Sequence, residues 1–164
     1  MVDTARGEDI RPKRHLSWNE YDELTTRLVD LIKEELGEEI DMIFGIFRGG
    51  IILARSLVSR LGDVPLAILH PKTTTDSLLH CLADDDVNQF SEEKRAAMKV
   101  LLVDDISDTG ETFIDMKRCL EAFQFKHVYS AALIYKINSR FVPEFFGELD
   151  STLTWVIFPW EKVE

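Results

Sequence analysis

The sequence predicts an α/β fold built on a central parallel β-sheet flanked by helices. Short apolar runs, typical of strands buried on both faces, alternate with stretches that keep apolar residues at helical spacing. No linker divides the chain, and 164 residues with 45% hydrophobic content suffice for one core. We therefore expect a single domain over residues 1–164. The predicted strands cover residues 42–47, 65–69, 100–103 and 128–135.

Helix signals separate these strands. Residues 1–14 are polar and are expected to be loose. Ser17 and Glu20 form a capping-box pattern at the start of a first helix over residues 18–36. A second helix is predicted over residues 51–61, after a glycine turn. A further helix carries its apolar face on Phe113, Met116, Leu120 and Phe123.

Charge and cysteine content exclude several classes of function. The formal net charge of −11 disfavours nucleic acid and anionic lipid surfaces as partners. The beginning of the chain lacks the apolar core of a signal peptide, and no apolar stretch is long enough to span a membrane. Cys81 and Cys119 are too far apart for a Cys-x-x-Cys motif. We therefore expect a cytoplasmic protein with reduced thiols, no membrane insertion and no nucleic acid partner.

Residues 100–112 are the most informative stretch of the chain. The run Val-Leu-Leu-Val predicts a buried parallel strand, and open α/β sheets bind ligands at the carboxyl ends of such strands. Asp104 and Asp105 follow the run, where carboxylates can accept hydrogen bonds from sugar hydroxyls or hold Mg²⁺. Backbone N–H groups at the following helix start can bind a phosphate. The residues that offer them are Thr109, Gly110, Glu111 and Thr112.

The run Asp-Asp-Ile-Ser-Asp-Thr-Gly-Glu-Thr at residues 104–112 resembles the phosphoribosyl-pyrophosphate loop of the type I phosphoribosyltransferases. The pattern of that loop is an apolar run, two acids and a Thr-Gly-x-Thr phosphate cradle. Leu-Leu-Val-Asp-Asp also resembles the acidic strand end of response-regulator receiver domains. Receivers carry their acidic pair near the amino terminus, whereas only about 60 residues follow it here, too few for the further βα units. The transferase resemblance is therefore favoured, and it assigns Ser107 to the ligand loop as well.

Arg48-Gly49-Gly50 is a second candidate site. The two glycines allow backbone geometry that exposes N–H groups to an anion, and Arg48 can add a charge-assisted contact. A plain tight turn is the alternative. Gly-Ile-Phe-Arg-Gly-Gly resembles the pyrophosphate-binding loop of the bacterial xanthine-guanine phosphoribosyltransferases. This resemblance implies a strained or cis peptide within residues 47–49.

The end of the chain carries the candidate base site. Lys136 ends a predicted strand and can donate to a ring carbonyl oxygen, and Trp155 can stack on a planar base. Composition alone favours Trp155 and Trp160 as core or interface aromatics. The resemblance implies instead that Lys136 contacts purine O6 and that Trp155 stacks on the purine. It also implies that the backbone of Val156 and Ile157 meets the purine 2-position, and Trp160 is assigned to packing.

Residues 70–98 interrupt the alternation of strands and helices without a clear period. Such an excursion is often a lid that excludes water from a reaction, with a solvated surface loop as the alternative. The family has a flexible loop at this place, so we expect a lid loop or hairpin here. The chain termini are expected to form a small hood. The Ser-Tyr pair of many members is replaced by His70-Pro71-Lys72-Thr73.

The resemblance implies an enzyme of purine salvage. Such an enzyme moves the 5-phosphoribosyl group of phosphoribosyl pyrophosphate to N9 of xanthine, guanine or hypoxanthine, with Mg²⁺ as cofactor. Asp104 and Asp105 would hold ribose hydroxyls or the metal. Asp108 would be the catalytic residue that handles the proton at purine N7. Residues 109–112 would hold the 5′-phosphate.

Two alternatives to this function stay open. The same fold serves in regulators that sense phosphoribosyl pyrophosphate without turnover, and the same residues suit a transferase for a modified purine or another base. Regulators usually add a nucleic-acid-binding element, whereas this chain has no spare domain and is strongly acidic. These features favour the enzyme. The family also implies a homo-oligomer, a dimer or a tetramer.

Overall fold

The computed structural model describes residues 11–71 and 89–162. The strands are β1 (Lys13–His15), β2 (Met42–Ile46), β3 (Leu66–Leu69), β4 (Lys99–Ser107), β5 (His127–Lys136), β6 (Phe145–Asp150) and β7 (Trp155–Ile157). The helices are α1 (Trp18–Leu36), α2 (Gly49–Arg60), α3 (Glu92–Ala97) and α4 (Glu111–Ala122). Across the described ranges, no helix combines the length and the apolar character that crossing a membrane requires.

The main sheet has the strand order β3-β2-β4-β5-β6, and every pair of neighbours is parallel. From β2 the chain continues to β3 on one side, whereas from β4 it continues to β5 on the other. The strand order therefore reverses between β2 and β4. In open α/β sheets, ligands bind where the strand order reverses. They occupy a crevice outside the carboxyl ends of the two strands. This architecture confirms the predicted fold class.

Both faces of the main sheet are buried. On β4, Leu101 and Val103 pack with α1 and α2, whereas Val100 and Leu102 pack with α4. This two-sided burial explains why the strand reads as a continuous apolar run. The predicted apolar face of α4 lies in the second cluster through Phe113, Met116 and Leu120, with Phe123 at its edge.

The first helix has the predicted amino-terminal cap. The Ser17 hydroxyl accepts from the Glu20 N–H at 3.2 Å, and the Glu20 carboxylate accepts from the Ser17 N–H at 2.8 Å. Trp160 packs against this helix, with its ring centroid 6.1 Å from that of Trp18 and 5.5 Å from that of Tyr21. The packing role assigned to Trp160 is thus confirmed.

A small second sheet joins the two ends of the described chain. β1 and β7 pair in parallel, with Lys13 opposite Trp155 and His15 opposite Ile157. This sheet forms the predicted hood. Lys13 and Arg14, expected to be loose, belong to β1 because β7 supplies their partner strand.

Other elements differ from the predictions. β4 continues to Ser107 because residues beyond Val103 still pair with β5, so the acidic pair lies within the strand rather than after it. The strand β6 was not predicted, because it follows β5 through a short irregular connection without a crossover helix. Helix α3 lies inside the predicted lid. Residues 72–88, most of that lid, are outside the described ranges.

Candidate active site

The crevice between β2 and β4 brings the glycine loop against the acidic pair. Gly49 and Gly50 are the first residues of α2 rather than a turn before it. A Cβ at Gly49 would lie 1.8 Å from Asp105 Oδ2, and a Cβ at Gly50 would lie 2.6 Å from the Val103 carbonyl oxygen. Only glycine permits this approach of the helix start to the strand end. The peptide bond between Phe47 and Arg48 is cis, as the resemblance implied.

The two carboxyl groups of β4 share a low-dielectric environment. Burial raises the pKa of Asp104 well above its ordinary value, and the neighbouring Asp105 adds to the rise. A hydrogen bond from the Gly50 backbone acts in the opposite direction. Burial also raises the pKa of Asp105 to about 6. Since no described lysine or arginine forms an ion pair with either side chain, the pair favours binding of a proton or a cation.

The acidic pair fits Mg²⁺ better than it fits a metal held by protein alone. Among residues 11–71 and 89–162, no group of three or more His, Cys, Asp or Glu side chains could hold a metal ion. Mg²⁺ is usually bound through one or two carboxylates together with waters and substrate phosphates. Asp104 and Asp105 provide two such carboxylates, and they lie beside the start of α2 at Gly49 and Gly50.

The predicted phosphate cradle lies at the start of α4. Gly110 caps the helix with φ +85°, and a Cβ there would lie 2.5 Å from the Phe141 nitrogen. The Thr109 carbonyl accepts from the Arg140 N–H at 2.9 Å, so the connection between β5 and β6 supports the cradle. Ser107 is buried, and its hydroxyl lies 2.8 Å from the Ser139 hydroxyl and 2.9 Å from the Phe141 carbonyl. That hydroxyl is engaged within the protein rather than directed to a ligand.

A cavity of about 100 Å³ adjoins the acidic pair and leads towards the hood. Its lining comprises Arg11, Asp105, Ile106, Asp108, Lys136, Thr154, Trp155, Val156, Phe158 and Glu161. Five of the predicted site residues thus line one space, namely Asp105, Asp108, Lys136, Trp155 and Val156, whereas Asp104 does not line it. Ile157 does not line it, and its carbonyl accepts from the Leu16 N–H at 2.9 Å.

Arg11 is a site residue that the sequence did not reveal. Its guanidinium carbon lies 4.8 Å from the centroid of the Trp155 ring, and its Nη1 lies 3.5 Å from Asp108 Oδ2. The neighbouring Pro12 carbonyl accepts from the Trp155 N–H at 2.8 Å. Arg11 reaches the cavity through the pairing of β1 with β7, a long-range contact for which the polar segment around it gives no local signal.

Lys136 and Glu161 complete the charged wall of the cavity. Lys136 is buried, and its Nζ donates to Asp150 Oδ2 at 2.5 Å and to the Thr154 carbonyl at 2.7 Å. Glu161 accepts from the Phe158 N–H at 2.8 Å, and its negative charge contributes to the raised pKa of Asp105. Arg48 is exposed at the start of α2.

Comparison with known proteins identifies the family and the fold of this chain. Residues 17–161 match the family model of the phosphoribosyl transferase domain. A purine phosphoribosyltransferase from Pyrococcus horikoshii OT3 is 28% identical, with a TM-score of 0.73 over 93% of this chain and 96% of that one. A hypothetical protein from Neisseria gonorrhoeae with bound ppGpp is 22% identical, with a TM-score of 0.75 over 95% of this chain and 93% of that one.

A third structure shares the fold. It is the xanthine-guanine-hypoxanthine phosphoribosyltransferase of Helicobacter pylori, which is 20% identical, with a TM-score of 0.65 over 91% of this chain and 93% of that one. The family model covers most of the chain, including the acidic strand end, the start of α4 and every residue that lines the cavity except Arg11. The chain therefore belongs to the type I phosphoribosyltransferase family.

Proposed function

We propose that this protein transfers the 5-phosphoribosyl group of phosphoribosyl pyrophosphate to N9 of a 6-oxopurine, in purine salvage. The products are the nucleoside monophosphate and pyrophosphate. The observation that carries the proposal is the single cavity shared by Asp105, Asp108, Lys136 and Trp155. The cavity thereby combines the four groups that this reaction requires. They are a carboxylate for the sugar, a proton acceptor, an ammonium that can donate to a ring carbonyl, and an aromatic ring.

The sugar and its phosphates fit the elements around the crevice between β2 and β4. The N–H groups of residues 109–112, at the positive end of the α4 dipole, suit the 5′-phosphate. The start of α2 at Gly49 and Gly50, with Arg48 beside it, suits the pyrophosphate. Asp104 and Asp105 would hold the ribose hydroxyls and Mg²⁺. When bound, Mg²⁺ neutralises charge on the leaving pyrophosphate.

No covalent nucleophile is needed for this chemistry. Cleavage of the bond from C1 to pyrophosphate gives a transition state like the oxocarbenium ion of glycoside hydrolysis. The protein lowers the barrier by fixing N9 of the base against C1. Asp108 would accept or share the proton at purine N7 as N9 attacks.

The base would lie between Lys136 and Trp155. Lys136 presents donors and no acceptor, so it favours a ring carbonyl over an amino group. Trp155 is 38% exposed, and its aromatic ring suits stacking on a purine once the Arg11 guanidinium gives way. Val156 lines the same cavity and would meet the 2-position. The name of the Pyrococcus horikoshii structure, a purine phosphoribosyltransferase, supports a purine as the acceptor.

The proposal is tested by incubating the purified chain with Mg²⁺, phosphoribosyl pyrophosphate and one base at a time. The bases are xanthine, guanine, hypoxanthine, adenine, orotate and uracil, and both nucleotide and pyrophosphate are measured. We expect turnover with at least one 6-oxopurine. Turnover of only adenine or a pyrimidine would refute the proposal. Binding of phosphoribosyl pyrophosphate without turnover of any base would favour the ligand-sensing regulator or a transferase for an unusual base.

Replacing Arg11 by Ala is expected to tighten binding of the 6-oxopurine several-fold. Arg11 covers the Trp155 ring that the base would stack on, so base and guanidinium compete for one face. An exposed cation–π contact contributes only about 0.5–1 kcal/mol and a surface ion pair only about 0–1 kcal/mol, which limits the gain. Isothermal titration calorimetry of the base, in the presence of pyrophosphate and Mg²⁺, measures the change.

Lys13→Ala is the matched control for this experiment. It removes the same charge from the same end of the chain, and Lys13 is exposed and absent from the cavity lining. We expect it to leave base affinity unchanged. Weaker binding in Arg11→Ala would show that Arg11 contacts the bound base instead of competing with it.

A further inference from the structure

Lys136 and Asp150 form the buried ion pair beside the cavity. They are direct register partners on the parallel strands β5 and β6. The side chains are 6% and 2% exposed, and the Nζ to Oδ2 distance is 2.5 Å. The Ile137 N–H also donates to the Asp150 carbonyl at 3.0 Å, which locks the register at this point. The ammonium position is thus set by strand pairing as well as by charge.

The other oxygen of Asp150 organises the chain that leads to Trp155. Asp150 Oδ1 accepts from the Thr152 N–H at 2.7 Å and from the Thr152 hydroxyl at 2.6 Å. Two residues later the Thr154 carbonyl accepts from Lys136 Nζ at 2.7 Å. One carboxylate therefore fixes the turn that wraps the ammonium and immediately precedes the exposed aromatic ring.

The Lys136 ammonium has one N–H group left to donate to a ligand. Lysine has three N–H groups, and the bonds to Asp150 and Thr154 use two of them. A third acceptor among the described residues, the Thr152 carbonyl, lies at 3.5 Å, the limit of a hydrogen bond. Lys136 lines the cavity, so a ligand oxygen can take this third donor at little cost.

We propose that Asp150 is a positioning residue for base recognition, which directs the third N–H of Lys136 into the cavity and holds the turn before Trp155. The inference rests on the proposed function, because Asp150 would influence the choice of base only in a protein that binds one. An ammonium held by Asp150 and Thr154 can only donate. A base with a carbonyl oxygen at this point gains a charge-assisted bond, whereas an exocyclic amino group opposes N–H to N–H.

The test compares Asp150→Asn, Lys136→Met and the double variant. Asparagine keeps the shape of Asp150 and an oxygen for Thr152, while it removes the charge that holds Lys136. We expect Asp150→Asn to raise KM for the 6-oxopurine about tenfold or more and to leave KM for phosphoribosyl pyrophosphate within about twofold. In the Lys136→Met background, Asp150→Asn should add no further effect, because the group through which it acts is gone.

A carboxylate far from the cavity is the control. Asp41 accepts from the Lys99 N–H at 2.8 Å where β2 and β4 begin, at the opposite end of the sheet. Asp41→Asn should not change either KM. Full additivity of Asp150→Asn with Lys136→Met, or equal losses for base and phosphoribosyl pyrophosphate, would overturn the positioning role.

A measurement without substrate separates this inference from the proposed function. The Lys136 ammonium should give a slowly exchanging ¹H–¹⁵N signal, identified by its loss in Lys136→Met, and Asp150→Asn should broaden or abolish that signal. Absence of 6-oxopurine turnover by the wild type with this signal intact would refute the proposed function alone. A Lys136 signal unchanged in Asp150→Asn would overturn the positioning role, whatever the activity.

Discussion

Asp108→Asn is expected to lower kcat with a 6-oxopurine by about 10²–10⁴, the usual contribution of a positioned general acid or base. Asp108 lies between the end of β4 and the cap of α4, and its side chain is 39% exposed toward the cavity. Asparagine matches the carboxylate in shape but cannot accept a proton. The KM values should change little, because the lost interaction belongs to the transition state.

Single-turnover kinetics would separate chemistry from product release in this variant. Asp115→Asn is the matched control, since this substitution removes the same charge from an exposed position on α4 that does not line the cavity. It should retain wild-type kcat. A kcat for Asp108→Asn within threefold of the wild type, or an equal loss in both variants, would exclude Asp108 as the proton-handling group.

The sequence predicted those parts of the fold and site that depend on local pattern. The run ending in Asp104 and Asp105 predicts a buried strand with a ligand site at its end, because a buried parallel strand is apolar on both faces and ligands lie at its carboxyl end. The helix cap at Ser17 and the helix start at residues 109–112 are likewise predicted from neighbouring residues. A resemblance was needed to connect Lys136 with a base, because one lysine at a strand end has many uses.

Other parts of the site depend on contacts between distant segments. Arg11 reaches the cavity through β1, and its partner strand lies near the other end of the chain. Asp150 is read easily as a surface carboxylate until β6 pairs with β5 and buries it opposite Lys136. The strand β6 itself escaped prediction because no crossover helix separates it from β5.

Gly110→Ala is expected to cost about 2–5 kcal/mol of the free energy of unfolding and to abolish binding of phosphoribosyl pyrophosphate. Two effects add. A side chain at φ +85° enters left-handed backbone space at a cost of about 1–2 kcal/mol. The new Cβ would also lie 2.5 Å from the Phe141 nitrogen and 2.7 Å from the Ser139 hydroxyl, and such overpacking costs about 1–3 kcal/mol.

Gly62→Ala isolates the first of these effects. Gly62 has φ +98°, and an added Cβ there meets no atom within 4 Å, so only the backbone cost of about 1–2 kcal/mol should appear. Denaturant unfolding of both variants gives the two free energies, and calorimetry gives the affinity for phosphoribosyl pyrophosphate. The larger loss in Gly110→Ala must come from displacing the connection between β5 and β6, which supports the Thr109 carbonyl. Equal destabilisation of the two variants would show that this connection yields freely and that the cradle does not depend on it.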